Sequence, residues 1–145
     1  MEFFRFPSFL PDGRHFLYFD VAEDERVRGI HVGSVDSPGT KRLVGAYASA
    51  AYAPPGYLLF RVGDRLMKQP FDAAGLRLTG EASPLVVDVW WDSLSTLATA
   101  FSVSGNGVLA YQKGGQSSTR LVWLDRAGQE TGVVGPPGAY IEPAL

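Results

Sequence analysis

Short runs rich in Val, Leu, Phe and Tyr alternate along the chain with stretches of Gly, Pro, Asp and Asn. That pattern predicts many brief strands joined by turns. The nearest approach to a helix, Trp90 to Ala100, is dense in Ser, Thr and aromatics and lacks a sustained helical stripe. It therefore reads as loop or irregular strand. The runs recur in a fixed order, in three copies. Each copy opens with an aromatic residue ahead of a tight turn: Phe9 before Pro11-Asp12-Gly13, Tyr52 before Pro54-Pro55-Gly56, and Phe101 before Gly105-Asn106-Gly107. Pro presets a negative φ, and Gly or Asn accepts the positive φ that a reversal demands. An apolar run follows each turn, Phe16 to Phe19, Tyr57 to Phe60 and Val108 to Tyr111, as expected of strands covered on both faces.

A third strand in each copy ends in Asp-x-x-Gly, at Asp36 to Gly39, Asp72 to Gly75 and Asp125 to Gly128. The Asp carboxylate is expected to accept backbone N–H groups inside the turn while the Gly supplies a left-handed position. Fourth strands follow at Thr40 to Val44, Leu76 to Thr79 and Gln129 to Val134. The expectation is all-β: three four-stranded antiparallel meanders at about 4–45, 46–87 and 97–135, with an inserted connection over 87–99. Residues 140–145 read as the first strand of a fourth copy. The spacing fits a β-propeller blade of about 40 to 50 residues. Closed propellers hold about four to eight blades, so the chain reads as a partial propeller with apolar blade faces exposed at both ends.

Composition narrows the chemistry. With 46% hydrophobic and 19% charged residues in 145, one ordinary domain or a few repeats can fold. A formal net charge of −2 lacks the footprint that nucleic acid requires, and no apolar run is long enough to insert into a membrane. The start, Met1 to Arg5, does not resemble an export signal. Cysteine is absent, which removes thiolate metal sites and thiol nucleophiles. His15 and His31 have no partner at metal-ligand spacing and read as structural. No Gly-x-Ser-x-Gly elbow and no protein-kinase catalytic signature occurs. Gly105-Asn106-Gly107 runs into a strand rather than a helix, so it reads as a hairpin turn and not a phosphate cradle. Asp12, Asp36, Asp72 and Asp125 each stand alone at a turn, which favours capping over calcium. Glu23 to Arg28 reads as a solvated loop. No catalytic, cofactor-binding or metal-binding residue is expected. The candidates for recognition are Trp90 and Trp91, whose rings either anchor a ligand or fill the groove between second and third repeats.

Residues 7–18, Pro-Ser-Phe-Leu-Pro-Asp-Gly-Arg-His-Phe-Leu-Tyr, resemble the TolB-like, Trp-Asp-repeat-like propeller motif. Ala51 to Phe60, Gln69 to Asp72, Phe101 to Ser104, Asn106 to Tyr111 and Leu121 to Arg126 are similar to the propeller carboxy-terminal to bacterial serine/threonine protein kinases. The resemblance departs from the pattern at Pro54-Pro55-Gly56, where Pro-Asp-Gly is usual. It implies a non-catalytic sensory or binding module, extracytoplasmic or periplasmic within a membrane-anchored parent, with further blades and a protein or peptide ligand as partners. The propeller of a prolyl-oligopeptidase-type serine peptidase and a free periplasmic TolB-like adaptor are the alternatives.

Overall fold

The computed structural model describes residues 3–92, 97–114, 119–124 and 129–138, and all regular structure among them is β-strand. The chain divides into two compact units, 1–113 and 114–145. In the first unit, β1 (Phe4–Phe9), β2 (His15–Asp20), β3 (Gly29–Ser34) and β4 (Thr40–Val44) form an antiparallel sheet in chain order, as the first repeat predicts. Gly13 takes φ 65° in the β1–β2 turn, and its N–H donates to the Leu10 carbonyl. β1 carries a register shift between Arg5 and Ser8 around Pro7. An edge strand tolerates the missing Pro N–H.

The second sheet runs β5 (Ala50–Ala53), β6 (Tyr57–Val62) and β7 (Arg65–Asp72), and the outer edge of β7 is shared by two strands. β8 (Arg77–Leu78) pairs with Phe71 and Asp72, and β9 (Ser83–Val86) pairs with Leu66 to Lys68. The single fourth strand expected at Leu76 to Thr79 is thus broken in two, and β9 was not anticipated. Pro70 explains the break. Its carbonyl accepts the Thr79 N–H, so its absent N–H faces the same outer edge and the ladder cannot continue. Gly80 lies against the Pro70 ring instead, and the Gln69 side-chain amide closes the gap with a bond to the Gly80 carbonyl at 2.7 Å.

The third repeat departs further. β10 (Phe101–Val103) and β11 (Leu109–Tyr111) form a hairpin in the first unit, while β12 (Thr119–Leu124) and β13 (Glu130–Gly138) form a separate hairpin in the second. The four-stranded sheet expected over 97–135 is therefore two two-stranded sheets. The Asp125 to Gly128 turn and the 140–145 strand lie outside the described residues.

Alternation along the strands gives each sheet of the first unit two distinct faces. Leu17, Phe19, Ile30 and Val32 form the front of the first sheet. They share one buried cluster with Ala50, Leu58 and Phe60 of the second, against which Tyr52 and Met67 also pack. On the opposite face of the second sheet, Ala53, Leu59 and Leu66 join Val89 in another cluster with Phe101, Val103 and Leu109 of the β10–β11 hairpin. The second sheet is thereby covered on both faces, and the first on one.

Candidate recognition surfaces

The way the faces repeat defines the surfaces available for binding. On the back of the first sheet, register pairs Phe9 with Phe16 and Tyr18 with His31. The second sheet pairs Tyr52 with Leu58 and Phe60 with Met67 at the corresponding places, and the hairpin pairs Val103 with Leu109. The last three pairs are covered by a neighbouring sheet. The first sheet's back carries a run of rings instead, with Phe4 and Phe9 exposed and Tyr18 and His31 buried. Phe4 meets Tyr18 edge-on at 5.3 Å, Phe16 lies 6.0 Å from Tyr18, and Tyr18 stacks on His31 at 5.4 Å. Phe9 remains 61% exposed. A hollow of ≈ 530 Å³ lies on this face, lined by Phe4, Pro7, Phe16, Tyr18, Val27 and His31 among others. His31 Nε2 donates to the Val27 carbonyl at 2.8 Å, which ties the ring down as a packing element. Gly33 opposite Phe16 leaves the space that this ring occupies, since a Cβ there would sit 2.9 Å from it.

A second hollow, of ≈ 520 Å³, opens where the first turns of three successive repeats meet. Phe9 and Pro11, Tyr52 and Pro54, and Ser104 and Gly105 contribute to its wall. The Tyr52 hydroxyl donates to the Pro55 carbonyl at 3.0 Å, and the Ser104 hydroxyl accepts the Val108 N–H at 2.9 Å. Aromatic and proline surface with a few fixed hydroxyls suits an extended peptide. The sequence marked these residues only as turn formers. The signal for the cleft was present in the aromatic residue two positions before the first proline of each of the first two turns, Phe9 and Tyr52.

The turn markers divide by mechanism. Asp12 accepts the N–H groups of Arg14 and His15 and pairs with His15 Nδ1 at 2.6 Å. Hydrogen bonding from His15, side chain first and backbone second, holds the Asp12 carboxyl well below the ordinary carboxylate range. Asp72 accepts the N–H groups of Ala74 and Gly75 and pairs with Arg77 at 3.2 Å, and these contacts, the Gly75 bond first and Arg77 next, lower its pKa. Asp36 behaves differently: its carboxylate is held by Arg14 at 2.8 Å rather than by its own turn. Neither Gly39 nor Gly75 is left-handed, contrary to the expectation for Asp-x-x-Gly, and Gly56 is not left-handed either. Gly75 is required for space, because a Cβ there would collide with the Asp72 carboxylate. The second turn instead carries Pro54–Pro55 as a cis peptide. In the third, Gly107 has φ 85° and Asn106 accepts the Ser104 hydroxyl. In the Glu23 to Arg28 loop, Asp24 pairs with Arg26 at 2.6 Å, and the Arg42 guanidinium clamps the Arg28 carbonyl at 2.9 Å.

Trp90 and Trp91 sit in a segment more ordered than an inserted connection suggests. Val89 pairs with Lys113, the Trp90 N–H donates to Gln112, and Trp91 pairs with Thr99, so this stretch carries the line of β10 onward. Trp90 is 38% exposed. Trp91 is half-buried, with the Arg61 guanidinium 3.7 Å from its ring centroid. Arg61 was not singled out in the sequence. Among the described residues, no group of three His, Cys, Asp or Glu is placed to hold a metal. No protein family, curated protein or solved structure matches the chain.

Proposed function

We propose that this chain is a run of β-propeller blades serving as a non-catalytic binding or sensory scaffold for a protein or peptide. One observation carries the reading. Both interfaces of the first unit are built the same way round, the front of one repeat against the back of the next. Stacking of that kind is head-to-tail and continues until it closes on itself, as blades do around an axis. The uncovered aromatic back of the first sheet is then a place for a further blade, and the cleft among the three turns faces the ligand. In the setting that the sequence resemblance implies, the parent is a bacterial receptor-like serine/threonine kinase with the propeller outside the membrane.

Electron microscopy of the longest polypeptide carrying this segment tests the architecture. A ring-shaped particle with a central channel is expected, and an open sandwich or an extended solenoid overturns the reading. The flanking coding sequence tests the setting: a kinase core and an apolar span upstream support it, whereas a hydrolase domain downstream or a signal peptide alone assigns the propeller to a peptidase or a free adaptor.

A further inference from the structure

Arg61 occupies a place where the repeat calls for an apolar side chain. Register pairs Phe19 with Ile30 in the first sheet and Arg61 with Leu66 in the second. Ile30 and Leu66 are each wholly buried on the front of their sheets. Phe19, at 1% exposure, fills the first interface, while Arg61, at 6%, stands at the matching point of the second. A guanidinium carries five donors and keeps its charge in any ordinary protein setting. Buried charges are normally paired and hydrogen-bonded. Arg61 Nε is shielded from solvent and has no acceptor among the described residues. The Trp91 ring covers the flat face of the cation, which compensates charge but satisfies no N–H donor. Asp64, the acidic residue that acts on Arg61 through space, is engaged with Arg65 at 3.7 Å.

A second unsatisfied group belongs to a residue bridged to Trp91. Thr99 Oγ1 is buried without a partner, and Thr99 is the residue paired with Trp91. The Thr99 N–H donates to the Ser49 hydroxyl at 3.3 Å, and Ser49 immediately precedes Ala50, whose partner Phe60 adjoins Arg61. The buried side-chain groups lacking a partner among the described residues are these two: Arg61 lies over the Trp91 indole, and Thr99 pairs with Trp91 through the backbone.

From this juxtaposition we infer that Arg61, Trp91 and Thr99 form a latent carboxylate-binding site in which the Trp91 ring is the cover. The stacked indole leaves only the in-plane edge of the guanidinium for a ligand, and that edge matches a carboxylate with two parallel N–H···O bonds. Leu59, Leu66 and Val89 make the surroundings apolar, so an anion there compensates the cation more fully than water does. Movement of Trp91 exposes Nε to the incoming oxygen, and the Thr99 hydroxyl donates to the same group. Either an acidic side chain of a bound peptide or a small free acid supplies the carboxylate. The site does not depend on closure of a propeller ring, because all its parts lie within the first unit.

The test follows the Arg61 Nε–H resonance in the full chain by ¹H–¹⁵N NMR, assigned by its loss in Arg61→Lys. Sodium acetate, sodium chloride at equal ionic strength, and short peptides with or without a Glu are titrated in turn. Acetate and the Glu peptide are expected to shift the resonance saturably together with the Trp91 indole signal, and chloride and the neutral peptide are not. Tighter binding of the peptide than of acetate, by roughly ten-fold, assigns the carboxylate to a protein partner, and equal binding assigns it to a small acid. Arg61→Lys keeps the charge but loses the fork and is expected to weaken binding by roughly ten-fold. An unmoved Nε–H under acetate and peptide alike overturns the inference. So does a shift that chloride reproduces.

Discussion

The two interfaces of the first unit share register and direction but not chemistry. Between first and second sheets, Leu17, Phe19, Ile30 and Val32 meet Leu58 and Phe60 in one apolar cluster. Between second sheet and β10–β11 hairpin, Leu59 and Leu66 meet Val103 and Leu109, but Arg61 and Trp91 intrude where the first interface holds Phe19. The first interface is therefore built for stability. The second holds a cation in an apolar setting, a local inconsistency of the kind expected at functional or strained positions.

The largest expected effect breaks the first interface. Phe19→Ala removes a fully buried ring and leaves a cavity, at a cost of about 3–5 kcal/mol in denaturant unfolding. Phe9→Ala, on the uncovered back of the same sheet, is expected to cost less than about 1 kcal/mol. Comparable losses from both substitutions would mean that the back face is covered in solution.

Next in size is the second interface, where the sign reverses. Arg61→Met removes a buried cation whose Nε has no acceptor among the described residues and fills its volume with apolar atoms. Such replacements are neutral or stabilising, here by about 1–2 kcal/mol. A destabilisation of that size would show that Arg61 has an acceptor in solution. Any gain in stability is expected to come with loss of the carboxylate response.

Of similar size is the contrast between two outer turns. Gly75→Ala drives a methyl into the Asp72 carboxylate and is expected to cost about 1–2 kcal/mol. Gly39→Ala meets only the Ser37 hydroxyl at 4.0 Å, and is expected to be neutral or slightly stabilising through the unfolded chain. Equal melting temperatures for the two variants would contradict the different turn mechanisms.

The fold was legible where sequence punctuation and strand pairing coincide. Gly13 and Gly107 mark left-handed turns, and the first meander lies where the alternation of turns and apolar runs places it. What stayed hidden depends on neighbours that a repeat alignment does not show. The outer edge of the second sheet is broken by a proline whose missing N–H matters only because it faces outward. In the third quartet, the apolar runs alone do not say which strands pair. At the candidate site, Trp90 and Trp91 drew notice as aromatics, but Arg61 reads as an ordinary strand residue until its register against Leu66 shows it buried.

The last contrast is between first turns, and it is readable by pH. Asp12 caps the turn of the first sheet, while Pro55 follows the proline of the second and offers no carboxylate. The folded Asp12 carboxyl titrates below its unfolded counterpart, chiefly through the His15 bonds. The folded state then binds fewer protons wherever the unfolded carboxyl begins to protonate, so stability falls with pH there. Asp12's contribution is accordingly complete above the unfolded value of about 4, and is lost as pH drops through the folded one. Asp12→Asn is expected to melt slightly below the parent protein at neutral pH, with a gap that narrows through the acid range and closes below it. Asp72, lowered in the same direction, keeps some acid sensitivity in both proteins and so cancels from the difference. A melting gap constant from neutral to strongly acidic pH would show that the turn depends on the shape of residue 12 and not on its charge.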